Sequence, residues 1–150
     1  MKAGGLIESK IKKLGKINSH GIITNPAVND VRRGDIVIVE LRGAKGSEQK
    51  GIRPAVIISN DINNRLSSTV TIVPVTTADK NPWQGTHADL GELKCLDVRS
   101  MALCEQITTV DKSCLLKKIG TLEDWCMWRV EHAVRVQLYG TSEVISLICS

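Results

Sequence analysis

The feature that most constrains this chain is a change of apolar rhythm at Gly34. Upstream, Leu6 or Ile7, Ile11, Leu14 and Ile17 recur at helical spacing with Lys10, Lys12, Lys13 and Lys16 between them, a pattern that predicts a short amphipathic, basic helix. Gly21 to Asp30, with Asn25, Pro26 and Asn29, reads as a linker. Downstream, the apolar residues come in short β-branched runs instead: Asp35 to Leu41, Ala55 to Ser59, Thr69 to Val73 and Ser100 to Thr109. Such runs, separated by polar or glycine-rich connections, predict strands. The connections are Arg42 to Ile52, which carries three glycines among charged residues, the polar stretch Asn60 to Ser68, and Thr77 to Gly91, which reads as loop with one short strand at His87 to Leu90. Pro74, lacking an N–H, is expected to end its ladder. A last helix is expected from Thr121, with Asp124 three residues on as a capping partner, Met127, Val130, Ala133, Val134 and Leu138 as its apolar face and Gly140 as its stop. Short strands closed by one helix predict a small, mainly antiparallel barrel braced by helices.

With 150 residues, 42% of them apolar, the chain has enough material for one core. Residues 1–30 are therefore taken as an extension and residues 31–150 as a single domain. Charge follows the same division. Residues 1–33 hold seven basic and two acidic side chains, or +5 of a chain total of +4, so the body is close to neutral. A neutral body excludes a protein that wraps duplex DNA by charge alone. Five cysteines without a CxxC pair do not form the framework of a secreted mini-domain, which points to a reducing cytosol. No apolar stretch is long enough to span a membrane, and lysines interrupt the only segment placed to be a signal peptide.

Three segments in order resemble the MazF/PemK family of toxins: Arg33-Gly-Asp-Ile-Val37, then Gly46-Ser-Glu-Gln-Lys-Gly-Ile-Arg-Pro54, then Ile58-Ser-Asn-Asp61 leading to Val73-Pro-Val-Thr76. A fourth, Glu105-Gln-Ile-Thr-Thr-Val-Asp-Lys112 followed by Ile119-Gly120, is similar to the family's later strand and turn. The likeness runs from residue 33 to about residue 139 and leaves out the N-terminal extension. It implies an SH3-like barrel of the CcdB/MazF/PemK type with a C-terminal helix. It also implies an mRNA-cutting endoribonuclease that dimerises, is silenced by a cognate antitoxin, and works in the cytoplasm without a metal or other cofactor. The catalytic residues implied are Arg53, in Gly51-Ile-Arg-Pro54, and Thr76, in Pro74-Val-Thr76.

The chemistry agrees with that assignment. RNA brings its own nucleophile, the 2′-OH, so cleavage needs in-line geometry, stabilisation of the extra charge on the phosphorane, and proton transfer. A guanidinium stays charged and offers a fork of donors to two phosphate oxygens, so Arg53 suits the role of clamp and general acid. The hydroxyl of Thr76 suits positioning rather than proton abstraction. Ser47, Glu48 and Gln49, on the glycine-rich loop, are expected to read unpaired bases, with Glu48 also available as a proton acceptor. Ser59, Asn60 and Gln106 complete the predicted RNA-binding set.

Two departures from the family are visible: Thr108 and Cys114 stand where basic residues are usual. Arg42, Lys45 and Lys50 are the cations available to compensate. Zinc at Cys95, Cys104, Cys114 and Cys126 is disfavoured by their spacing, and no local signature supports a Cys/His pair with His87 or His132. Trp125 and Trp128 read as packing or dimer contacts. Two rival functions suit the same barrel: an inhibitory binding toxin of the CcdB kind, and a catalytically silent interaction module.

Overall fold

The computed structural model of the protein describes residues 28, 30–43, 45–46, 48–77 and 85–141. The predicted N-terminal helix and most of the linker lie outside them. Seven strands make up the body: β1 (Asp35–Leu41), β2 (Gly51–Ile57), β3 (Thr69–Thr77), β4 (His87–Leu93), β5 (Val98–Leu103), β6 (Thr108–Asp111) and β7 (Leu115–Thr121). Two helices accompany them, α1 (Asp61–Leu66) and α2 (Asp124–Tyr139). The strands pair antiparallel in the order β4-β5-β3-β2-β1-β7, with β6 joined to β3. The mainly-β make-up and the C-terminal helix match expectation, although the ladder does not close between β4 and β7.

Both faces of the central strands are buried, which explains their unbroken apolar runs. Ile36, Val56, Val73 and Val75 pack with Leu90, Leu96, Ala102, Cys126, Val130 and Ala133, joining the sheet to α2. Val37, Val39, Ala55, Ile57, Val70 and Ile72 point the other way and form a second cluster with Val28, Val31 and Leu115. The backbone turns into β1 at Gly34, whose φ of +89° is costly for any residue with a Cβ.

Several sequence expectations are corrected. Pro74 does not end its strand. Up to that residue β3 pairs with β2 (Ala55 with Pro74), and from Val75 it pairs with β5 (Val75 with Ala102), so the missing N–H falls where the strand changes partners. The run Ser100 to Thr109 is not one strand but β5, a 3-10 turn over Cys104–Gln106, and β6, which returns to pair with the first half of β3. The polar connection after residue 59 contains α1, capped by Asn60, whose side chain accepts from the Asn63 N–H at 2.9 Å. β7 was not expected as a strand, because its two lysines break the apolar pattern. Thr121 belongs to β7, and α2 starts at Asp124 after Glu123, which makes no side-chain cap bond. Leu138 is 57% exposed and does not belong to the buried face of α2.

Candidate RNA groove

The 3-10 turn between β5 and β6 breaks the sheet and leaves a groove of about 440 Å³ beneath the glycine-rich loop. One side is the end of β1, with Glu40, Leu41 and Arg42, and the loop residues Glu48 and Gln49; the other is Glu105 to Asp111, with Pro74 and Cys114. Gln49 donates its N–H to Oε1 of Gln106 at 3.4 Å, so the loop is tied to the turn. Glu48 holds the loop's own shape, its Oε2 accepting from the Lys45 N–H at 2.9 Å.

Of the predicted site residues, Glu48, Gln49 and Gln106 are thus brought together on one groove. Ser47 lies outside the described residues. Ser59 and Asn60 go elsewhere: the Ser59 hydroxyl donates to Asn64 and accepts from the Thr71 N–H at 3.0 Å, and Asn60 caps α1. Both therefore hold α1 against β3.

Arg53 and Thr76 flank the groove without lining it. Arg53 is half-buried, pairs across from Val39 on β1, and donates through Nε to the Lys50 carbonyl at 2.8 Å. Thr76 is 8% exposed and pairs with Met101 on β5. Alternation along each strand puts Arg53 on the face of Ala55 and Thr76 on the face of Pro74. Ala55 and Pro74 are directly opposed, so both candidates project from the same side of the sheet. In that register both lie two residues beyond the Ala55–Pro74 pair, toward the same end, and Pro74 itself reaches the groove wall.

The electrostatics depart from those of a simple phosphate channel. Among the described lining residues, Glu40, Glu48, Glu105 and Asp111 oppose one cation, Arg42. Arg42 is moreover spent on Glu40 at 2.8 Å. Their hydrogen bond lowers the Glu40 pKa and raises that of Arg42. Arg42 therefore does not offset the loss of positive charge at Thr108 and Cys114, which leaves Lys45 and Lys50, both exposed on the loop.

Glu105 is a groove residue that sequence reasoning quoted but did not single out. Its Oε1 meets His87 Nε2 at 3.0 Å, while its Oε2 is buried with no hydrogen-bond partner. A buried carboxylate oxygen left unpaired is costly. The available signal was Glu105-Gln106 directly after a strand; that a turn would aim the pair into a groove was not visible.

The four described cysteines are free thiols. Burial pushes the Cys104 pKa up to about 12 and raises those of Cys95 and Cys126. Cys104 and Cys126, both buried, behave as apolar groups rather than nucleophiles. Among the described residues no group of three or more His, Cys, Asp or Glu is arranged to hold a metal ion. Among them, too, no helix is long and apolar enough to cross a membrane.

The small antiparallel sheet, its C-terminal helix and the turn-framed groove are the kind of fold that the MazF/PemK resemblance implies. The chain belongs to the PemK-like, MazF-like toxins of type II toxin-antitoxin systems, whose family model matches residues 32–138. It is 40% identical over 109 residues to Endoribonuclease MazF of Staphylococcus saprophyticus, covering 72% of this chain and 91% of that one. Its fold is similar to that of MazF from Deinococcus radiodurans, with a TM-score of 0.60, 20% identity, and 72% and 96% of the two chains covered. A mycobacterial endoribonuclease in complex with its cognate antitoxin is similar to the same degree, with a TM-score of 0.60, 22% identity, and 72% and 94% covered.

Proposed function

We propose that this protein is a sequence-specific endoribonuclease toxin of the cytoplasm. It cuts single-stranded mRNA by attack of the 2′-OH on the adjacent phosphate and needs no metal ion. The observation that carries this reading is the placement of Arg53 and Thr76 on one side of the sheet, each two residues beyond the Ala55–Pro74 pair and toward the same end, with Pro74 in the groove wall.

In this reading the acidic groove sets the direction of the strand. Carboxylates repel phosphates, so the backbone runs past Arg53, Lys45 and Lys50 while the bases turn toward Glu48, Gln49 and Gln106, which present acceptors and donors to base edges. Arg53 clamps two phosphate oxygens as charge develops, and Thr76 holds the scissile group in line. Glu105 and Glu48 both line the groove and each commits one oxygen, to His87 and to the Lys45 N–H; of the two, Glu105, on the turn beside Gln106, is taken as the proton acceptor. The proton leaves O2′ for Glu105, the O2′–P bond forms, and the P–O5′ bond breaks as O5′ takes a proton from the Arg53 guanidinium; water then reprotonates Arg53 and accepts the proton from Glu105. The products are a cyclic 2′,3′-phosphate and a 5′-hydroxyl.

The active form is a homodimer that a cognate antitoxin silences. Family membership supports this, and the mycobacterial endoribonuclease in complex with its cognate antitoxin supports the antitoxin partner.

Purified protein incubated with long single-stranded RNA in EDTA should cut it at a small set of sequences. Intact RNA, together with a saturable complex on a captured protein, would replace this reading with inhibition by binding alone. Glu105→Gln should lower kcat by about 10²-fold or more, because an amide cannot take up the proton. An unchanged kcat in that variant removes Glu105 from the proton-transfer role.

A further inference from the structure

Among the described lining residues the groove has a single cation, and it is cancelled where it stands. Glu40, near the end of β1, pairs across from Ile52 on β2, so its carboxylate is carried by a strand. Arg42 follows one residue beyond the end of that strand. Both side chains line the groove, and there Arg42 Nη2 meets Glu40 Oε2 at 2.8 Å. Side-chain exposure is 67% for Arg42 and 34% for Glu40, so the guanidinium stands toward water with the carboxylate behind it. An exposed ion pair of this kind adds little to stability, so folding alone does not account for it.

The position of Arg42 is the one a strand of RNA would use. Arg42 opens the loop on which Lys45 and Lys50 stand exposed, beside the path given above to the RNA backbone. It also lies close enough to Cys114 for a charge interaction. Cys114 and Thr108, both on the groove wall, are the two positions that the resemblance expects to be basic. A guanidinium offers the same fork of donors to a carboxylate and to a phosphate, so the two compete for Arg42. The carboxylate has the advantage of being tethered two residues away, at a high effective concentration.

We infer that Glu40 sets the affinity of this site for RNA by withholding Arg42 from the phosphates of the strand. The inference rests on the RNA-cutting reading above. It gives the groove one backbone contact fewer than its side chains could supply. A strand that does capture Arg42 leaves the Glu40 charge uncompensated beside its own phosphate, and so loses part of what it gains. Glu40 thus limits binding without touching the reacting atoms.

The test titrates the full chain with fluorescently labelled single-stranded RNA methylated at every 2′-OH, which attack by that hydroxyl cannot cut. Anisotropy gives Kd at salt concentrations from about 0.05 to 0.2 M. Glu40→Gln, uncharged and of nearly the same size, should tighten binding about fivefold at the lowest salt. It should also steepen the slope of log K against log salt by about 0.7, the signature of one added phosphate contact on a single strand. In an Arg42→Ala background the same substitution should gain about twofold or less, and the slope should not steepen. A gain from Glu40→Gln that is equally large with and without Arg42 overturns the inference, because the carboxylate then acts through its own charge alone. No gain in either background overturns it as well. Cutting of unmodified RNA by the parent protein is measured alongside: a parent that cuts while Glu40→Gln gains nothing defeats this inference only, whereas a parent that neither binds nor cuts RNA defeats the nuclease reading and this inference with it.

Discussion

Arg53→Ala is expected to lower the single-turnover rate of RNA cleavage by about 10²- to 10³-fold, the usual loss when one preorganised donor to a developing oxyanion is removed. The effect should appear in kcat rather than in RNA affinity. A clamp on the phosphorane acts on charge that exists only in the transition state, and affinity is shared among many contacts. Arg53→Lys should recover only part of the loss, since an ammonium restores charge without the two-pronged geometry. The fold should survive either change: Arg53 is half-buried at the start of β2, and its recorded hydrogen bond is to the nearby Lys50 carbonyl. A folded Arg53→Ala variant that cuts at the parent's rate removes the guanidinium from the chemistry.

The largest expected stability effect lies at the opposite end of β1. Asp35 is 2% exposed and accepts from the Arg32 N–H at 2.8 Å, the Thr121 hydroxyl at 3.1 Å and Lys118 Nζ at 3.1 Å. Asp35 thus ties the entry to β1 onto the end of β7. Asp35→Ala removes the buried acceptor of a part-buried N–H and a part-buried hydroxyl, while Lys118, about one-third exposed, can turn back to water. A cost of about 2 kcal/mol is expected, read as a lower urea midpoint at unchanged m-value. A change below about 1 kcal/mol would mean that water replaces the carboxylate at little cost.

How far the sequence revealed this molecule varied with what each residue had to report. The β-branched runs that became β1, β2 and β3 were legible because burial on both faces demands continuous apolar sequence. β7 was hidden because Lys117 and Lys118 sit in its middle, and Lys118 is there to meet Asp35, a long-range pairing that no local pattern records. Pro74 misled for a related reason: a rule about one missing N–H cannot anticipate that the strand changes partners at that residue.

The candidate site divides along the same line. Arg53 and Thr76 were found through the resemblance, with phosphate chemistry in agreement, and the register places them on one side of the sheet. Ser59 and Asn60 entered the predicted RNA-binding set from within the segment Ile58-Ser-Asn-Asp61 that carries the resemblance. The hydrogen bonds that bind them to α1 could be assigned only once that helix was known. The acidic character of the groove was equally out of reach, because Glu40, Glu48, Glu105 and Asp111 are scattered over 72 positions and meet only through the fold.

The central claim is that the RNA's own 2′-OH, held between Arg53 and Thr76, is the nucleophile. End-group analysis of RNA cut by the purified protein in EDTA tests it most directly. The account predicts fragments ending in 2′,3′-cyclic phosphate with 5′-hydroxyl partners, and no cutting of a strand carrying a 2′-deoxy sugar at the scissile position. Fragments with 3′-hydroxyl and 5′-phosphate ends, or full cutting of the deoxy-substituted strand, would contradict it.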